Sequence, residues 1–126
     1  AKVDAILEAL GRDESGLVFA NLVDFDAKYG HRRDPEGMAE NIRRFDDRLP
    51  GLLDALTEED LMIITADHGN DPTFKGTDHT RERVPLLVVG AEPQDLGVSD
   101  GFSDVGATVA AWLGVDKDEL PGKSLV

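Results

Sequence analysis

Three short apolar runs set the limits of what this chain can fold into: residues 16–23 (GLVFANLV), 61–66 (LMIITA) and 84–89 (VPLLVV). Runs of this length with almost no polar interruption read as strands covered on both faces, the pattern of a sheet with helices packed on each side. Around them the period becomes helical. Val3, Ile6, Leu7 and Leu10 share one face of residues 2–10, and Gly11 stops that helix. Asp34-Pro35-Glu36 is a helix start, with a capping aspartate, a proline in the first turn and an acid near the positive end of the dipole. Met38, Ile42, Phe45, Leu49, Leu52 and Leu56 then mark one amphipathic face, which Pro50 should kink or split. Ser103 is placed to cap a last helix in which Val105, Val109 and Trp112 share a face, and Trp112 reads as core rather than as a ligand-stacking group. Strand, helix and strand with short joins predict an α/β layered sheet.

The joins carry the chemistry. Asp26 falls just past the first predicted strand and Asp67 just past the second, and ligands of open parallel sheets gather at that carboxyl edge. His79 comes five residues before Val84. If it shares the same edge, strand 84–89 starts there and runs antiparallel to strand 61–66.

The chain has only three histidines, and each has an aspartate nearby: Asp26-x4-His31, Asp67-His68 and Asp78-His79. Neutral imidazole and carboxylate are the ligand types that hold Zn²⁺, Mn²⁺ or Fe²⁺ without cysteine. Gly30, Gly69 and Gly76 stand beside them and let a loop close tightly. Taken singly, Asp26 reads as a turn former, His31 as a surface histidine and Asp67 as a cap. Three histidines converging on one sheet edge favour a metal site. Asp24 and Asp78 compete with their neighbours as ligands. Asn70 and Asp71 are either groups that orient ligands or turn residues, and Lys75, Arg81 and Arg83 read as solvated cations more readily than as phosphate binders.

Composition narrows the partners. With 13 basic and 26 acidic residues the net charge is −13, unfavourable for nucleic acid or anionic lipid. A phosphate substrate would need cations, or basic residues from elsewhere, to offset that field. There is no cysteine, so disulfides and thiolate ligands are excluded, in keeping with a cytoplasmic location. No apolar run approaches the roughly 20 residues that span a bilayer, and the first residues lack a secretory signal pattern.

The run Ala66-Asp67-His68-Gly69-Asn70-Asp71-Pro72-Thr73, continued by Gly76-Thr77-Asp78-His79-Thr80-Arg81-Glu82, resembles the phosphopentomutases. So do Asn21-Leu22-Val23-Asp24-Phe25-Asp26, Tyr29-Gly30-His31-Arg32 and Gly122-Lys123-Ser124. That family belongs to the alkaline-phosphatase-like metalloenzymes. The resemblance implies a three-layer α/β/α sandwich with a mostly parallel sheet, of which residues 1–126 form the C-terminal portion of the core domain. It implies that Asp26, His31 and His79 hold one manganese ion, and that Asp67 and His68 are two ligands of a second. It further implies interconversion of ribose or deoxyribose 1-phosphate and 5-phosphate through a phosphorylated threonine. Family members are several times longer. Their nucleophilic threonine, a further aspartate ligand and a cap domain match nothing here, and Thr65, Thr73, Thr77 and Thr80 match no nucleophile position. The expectation is therefore an inactive isolated chain with one complete and one broken ion site, Mn²⁺ with Zn²⁺ or another divalent ion as substitutes, and self-association through uncovered sheet edges. Alternatives are another enzyme of the superfamily (cofactor-independent phosphoglycerate mutase, phosphatase or phosphodiesterase) and a non-catalytic acidic interaction module.

Overall fold

The structure, a computed structural model, describes residues 1–12, 14–115 and 120–126. Helix α1 (Lys2–Leu10) turns its Val3, Ile6, Leu7 and Leu10 face inward, half-buried, and ends at Gly11. Its Asp4 carboxylate meets the N-terminal ammonium at 2.8 Å and Arg48 at 2.5 Å. The ammonium first, then the guanidinium, hold that carboxyl down to about 2. The pair with Arg48 ties α1 to the junction between α2 (Pro35–Asp46) and α3 (Leu49–Asp54).

Helix α2 starts as the sequence requires. Asp34 accepts a hydrogen bond from the Gly37 amide at 2.8 Å, Pro35 occupies the first turn and Glu36 follows it. The apolar stripe is split where Pro50 demands it: α2 stops at Asp46, and Pro50 sits in the first turn of α3, where its missing N–H costs nothing. Leu52, at the centre of α3, is buried.

Strands β1 (Met62–Thr65) and β2 (Leu86–Val89) pair antiparallel, Met62 opposite Val89 and Thr65 opposite Leu86. This is the direction that the position of His79 demanded. A further bridge between Gly69 and Thr80 continues the same pairing beyond the strands, so the connecting loop folds back on itself as a long hairpin.

The structure differs from these expectations at several points. Residues 16–23 form no strand: they run as irregular backbone, with Leu17 62%, Val18 46% and Phe19 83% exposed. An apolar run supplies the side chains of a buried strand but not its hydrogen-bonding neighbour, and among the described residues β1 pairs only with β2. For the same reason the described residues show no mostly parallel sheet and no three-layer sandwich; they contain one two-stranded antiparallel sheet. Neither strand is sealed on both faces, since β1 is half-buried throughout and β2 alternates between half-buried and exposed. Trp112 is not core. It closes helix α4 (Ser103–Trp112) 40% exposed, with its indole N–H donating to the Glu59 carbonyl at 3.0 Å.

Helix α4 also departs from expectation at its start, where Ser103 is the first helical residue and makes no side-chain cap. Its buried face consists of Asp104, Ala107, Thr108 and Ala110, with Val105 and Val109 half-buried beside them. Two polar groups on that face capture the chain's last residues. Asp104 accepts from the Ser99 hydroxyl at 2.6 Å and the Lys123 amide at 2.9 Å, and Thr108 accepts from the Leu125 amide at 2.9 Å. Gly122, at φ +99°, lies so close to the Ser103 backbone that a Cβ would stand 2.7 Å from it.

Candidate metal centre

Asp26 and His31 lie on one wide turn. Residues Phe25–Gly30 form a π-helical turn in which the His31 amide donates to the Asp26 carbonyl at 2.9 Å. A π-turn stacks residues five apart, so the Asp-x4-His spacing puts carboxylate and imidazole on the same side. Gly30 is buried, and the reason is space rather than conformational freedom: a Cβ there would stand 2.3 Å from Asn70 Nδ2. Gly69 is alike, because a Cβ would stand 2.9 Å from the Thr80 and Glu82 carbonyls. Of the three glycines beside the ligands, only Gly76, at φ +89°, uses the backbone freedom of glycine.

His79 comes in from the hairpin. The Thr80 amide donates to the Gly69 carbonyl at 2.9 Å, and the Thr80 hydroxyl accepts from the Asp71 amide at 2.6 Å. These bonds fold the 69–80 loop back over the π-turn. The result is a triangle of ligand atoms. His31 Nε2 lies 3.2 Å from His79 Nε2 and 3.4 Å from Asp26 Oδ2, and His79 Nε2 lies 3.6 Å from Asp26 Oδ1. One ligand atom from each of Asp26, His31 and His79 falls within 4.8 Å of the others. Donors about 2.0–2.2 Å from a shared ion are themselves roughly 3 to 3.5 Å apart, so the donor set fits a divalent cation.

The surrounding bonds prepare the donors. His31 Nδ1 is 2.5 Å from the Thr77 carbonyl, which can only accept. The neutral ring therefore carries its proton on Nδ1 and turns the Nε2 lone pair toward the triangle. Asn70 donates from Nδ2 to Asp26 Oδ1 at 2.6 Å, orienting the carboxylate. Asn70 thus acts as a ligand-orienting group. Asp71 does turn work, accepting from the Thr73 hydroxyl and amide at 2.7 and 2.8 Å; those bonds, the hydroxyl's first, hold its carboxyl below the usual range.

The second pair stands apart from the triangle. Asp67 is 73% exposed and meets only the His68 ring, at 3.6 Å. Among the described residues neither joins a three-ligand cluster. His68 nevertheless stacks on His79, with ring centroids 3.5 Å apart and planes 16° from parallel. The His68 ring is thus a neighbour of the triangle across one ring stack. Asp24 pairs with Lys28 at 3.6 Å on the exposed side of the turn, and the Asp78 side chain, Lys75, Arg81 and Arg83 are exposed.

One residue escaped the sequence reading altogether. Arg33 donates to Asn70 Oδ1 at 2.9 Å and to the carbonyls of Asp71 and Asp78 at 2.7 Å each, and it also bonds the Gly76 carbonyl. The available signal was a pair of arginines beside a ligand cluster in an acidic chain.

The chain is similar to known proteins over most of its length. The phosphopentomutase of Clostridioides difficile (strain 630) is 53% identical over 116 residues, covering 90% of this chain and 30% of that protein. Those of Symbiobacterium thermophilum and Methylobacterium sp. (strain 4-46) are 55% and 56% identical over 117 and 118 residues. The likeness read from the ligand-bearing runs therefore extends over about nine tenths of the chain, while the chain spans about 30% of the length of these relatives. A model of the metalloenzyme superfamily matches residues 1–117. The chain belongs to the metalloenzyme superfamily.

Proposed function

We propose that this chain carries the C-terminal part of the metal-binding core of a phosphopentomutase, which interconverts ribose or deoxyribose 1-phosphate and 5-phosphate through a phosphothreonine. The observation that carries the reading is the convergence of Asp26, His31 and His79 in a chain 53% identical to a phosphopentomutase over 90% of its length. Asp26, His31 and His79 would hold one divalent ion, and Asp67 and His68 would contribute to a second. Manganese is the proposed metal, and Zn²⁺ suits the same donors.

Such ions, when bound, would supply positive charge to phosphoryl oxygens and lower the pKa of a hydroxyl nucleophile. This chain's residues do the preparatory work. His31 keeps its proton on Nδ1 against the Thr77 carbonyl, Asn70 fixes the Asp26 carboxylate, and the ring stack of His68 on His79 holds His68 beside the triangle. A net charge of −13 makes cations necessary before an anionic sugar phosphate can approach.

The remaining groups belong to the portion of the relatives that this chain does not span. The nucleophilic threonine, a further aspartate ligand and the cap that grips the sugar phosphate are placed there. That portion is also the proposed partner for the exposed Leu17, Val18 and Phe19 and for the open face of β2. We propose a cytoplasmic setting; no described helix is long and apolar enough to cross a membrane.

The test is segment replacement. This chain is substituted for the matching region of the C. difficile phosphopentomutase, and ribose 1-phosphate turnover is measured with Mn²⁺. The chimera interconverts the two phosphates, its His31→Ala variant does not, and the 126-residue chain alone shows no turnover. A chimera that folds and binds metal yet lacks activity would contradict the proposal.

A further inference from the structure

Arg33 stands at φ +54°, the one non-glycine residue at positive φ among the described residues. That conformation costs a side-chain-bearing residue on the order of 1 kcal/mol or more. Arginine has no local hydrogen bond that makes up for it, as asparagine or aspartate would. What the conformation achieves is reach. From the turn after the π-helix the guanidinium reaches the 70–78 loop. There its nitrogens donate to Asn70 Oδ1, to the carbonyls of Asp71 and Asp78, and to that of Gly76. One side chain thus occupies carbonyls on both sides of Thr77, whose own carbonyl holds His31. The same guanidinium bonds the oxygen of the Asn70 amide whose nitrogen holds Asp26.

We infer that Arg33 is a positioning residue of the metal centre. It latches the 70–78 loop onto the π-turn, so that the Asn70 amide orients Asp26 and the Thr77 carbonyl holds His31 in the tautomer that offers Nε2. The inference rests on the metal-site reading but is separable from it, because the tautomer of His31 exists without any ion. A guanidinium is required: its planar fork serves several acceptors at once, where an ammonium is a point donor on a flexible stem. The amide orientation follows as well, since an oxygen facing Arg33 leaves Asn70 only its Nδ2 for the Asp26 carboxylate.

Three variants of the chain separate the roles. Arg33→Gly removes the bonds and relieves the φ strain, Arg33→Lys keeps the charge, and Asn70→Ala removes only the link to Asp26. Each is checked for native circular dichroism, then titrated with Mn²⁺ and Zn²⁺ by calorimetry. The tautomer of His31 is read in the metal-free protein from two-bond proton–nitrogen correlations of the ring. Arg33→Gly weakens metal binding by about 10- to 100-fold, the range for groups that orient ligands, and moves His31 from the Nδ1–H form to a mixture. Arg33→Lys restores part of both. Asn70→Ala weakens binding but leaves the His31 tautomer unchanged. Folded Arg33→Gly with unaltered affinity and unaltered tautomer would overturn the inference. If the parent chain binds neither ion, the metal reading fails, and the tautomer alone decides: a shift in Arg33→Gly upholds the latch, and no shift refutes it.

Discussion

His31 and His79 face each other through their Nε2 atoms, 3.2 Å apart, with the Asp26 carboxylate closing the triangle. Two nitrogens at that distance either share a proton or share a cation. The Thr77 carbonyl has already claimed the Nδ1 proton of His31, so His31 Nε2 presents a lone pair, to the His79 N–H or to a cation. A ligand that binds only the folded chain stabilises it by mass action, by about 2.7 kcal/mol at 100 times its dissociation constant. Mn²⁺ or Zn²⁺ should therefore raise the thermal midpoint of the chain, and a chelator should reverse the rise. His79→Ala should unfold at the same temperature with or without metal.

Gly30 offers a test of the packing beneath the ligands. A methyl group there would stand 2.3 Å from Asn70 Nδ2 and 2.6 Å from its Cγ, so Asn70 must move off Asp26. Gly30→Ala should cost about 1–3 kcal/mol, as overpacking does, and should weaken metal binding as well. Urea denaturation and a metal titration on the same variant would show both effects. A variant as stable and as tightly metallated as the parent would mean that Asn70 is free to relocate.

The last residues should be released by acid. The Ser99 hydroxyl and the Lys123 amide hold the Asp104 carboxyl below its ordinary value. A carboxyl whose folded value is depressed contributes stability that is fully present above its unfolded value and is lost as pH falls through the folded one. The protection of the Lys123 and Leu125 amides against exchange, relative to their intrinsic rates, should fall as pH drops through and below the ordinary carboxylate range, and Asp104→Asn should remove that dependence. Thr108→Val should instead loosen the tail at every pH, by about 1–3 kcal/mol, because the Leu125 amide loses its acceptor.

How far the sequence could be read depended on whether a signal was local. The Asp34 cap, the Pro50 break and the direction of β2 against β1 were legible, because each follows from neighbouring residues or from a chain reversal that a ligand spacing imposes. Three histidines with aspartates beside them pointed to one cluster, and the family resemblance singled out Asp26, His31 and His79, which the structure brings together. Residues 16–23 misled, since Leu17 and Phe19 report what a strand would bury but not whether a neighbour exists to pair with it. Trp112 misled for a similar reason: shared helical phase with Val105 and Val109 does not say where the covered face ends. Arg33 was invisible because its role depends on a positive φ and on four acceptors 37 to 45 residues away.

The exposed apolar surface carries its own expectation. Leu17, Val18, Phe19 and Leu87 lie between 46% and 83% exposed, and among the described residues the outer edges of β1 and β2 carry no further strand. Unpaired edges and apolar patches promote association. Sedimentation velocity should show the chain associating as concentration rises, and Leu17→Lys with Phe19→Ser should reduce the effect. A chain that stays monomeric up to millimolar concentration would contradict this.

The central claim is one well-formed divalent site per chain, built by Asp26, His31 and His79. Calorimetric titration with Mn²⁺ tests it most directly. One site per chain, abolished by His31→Ala and retained in Asp67→Ala, is the predicted result. Two tight and equivalent sites, or binding that survives His31→Ala, would contradict it.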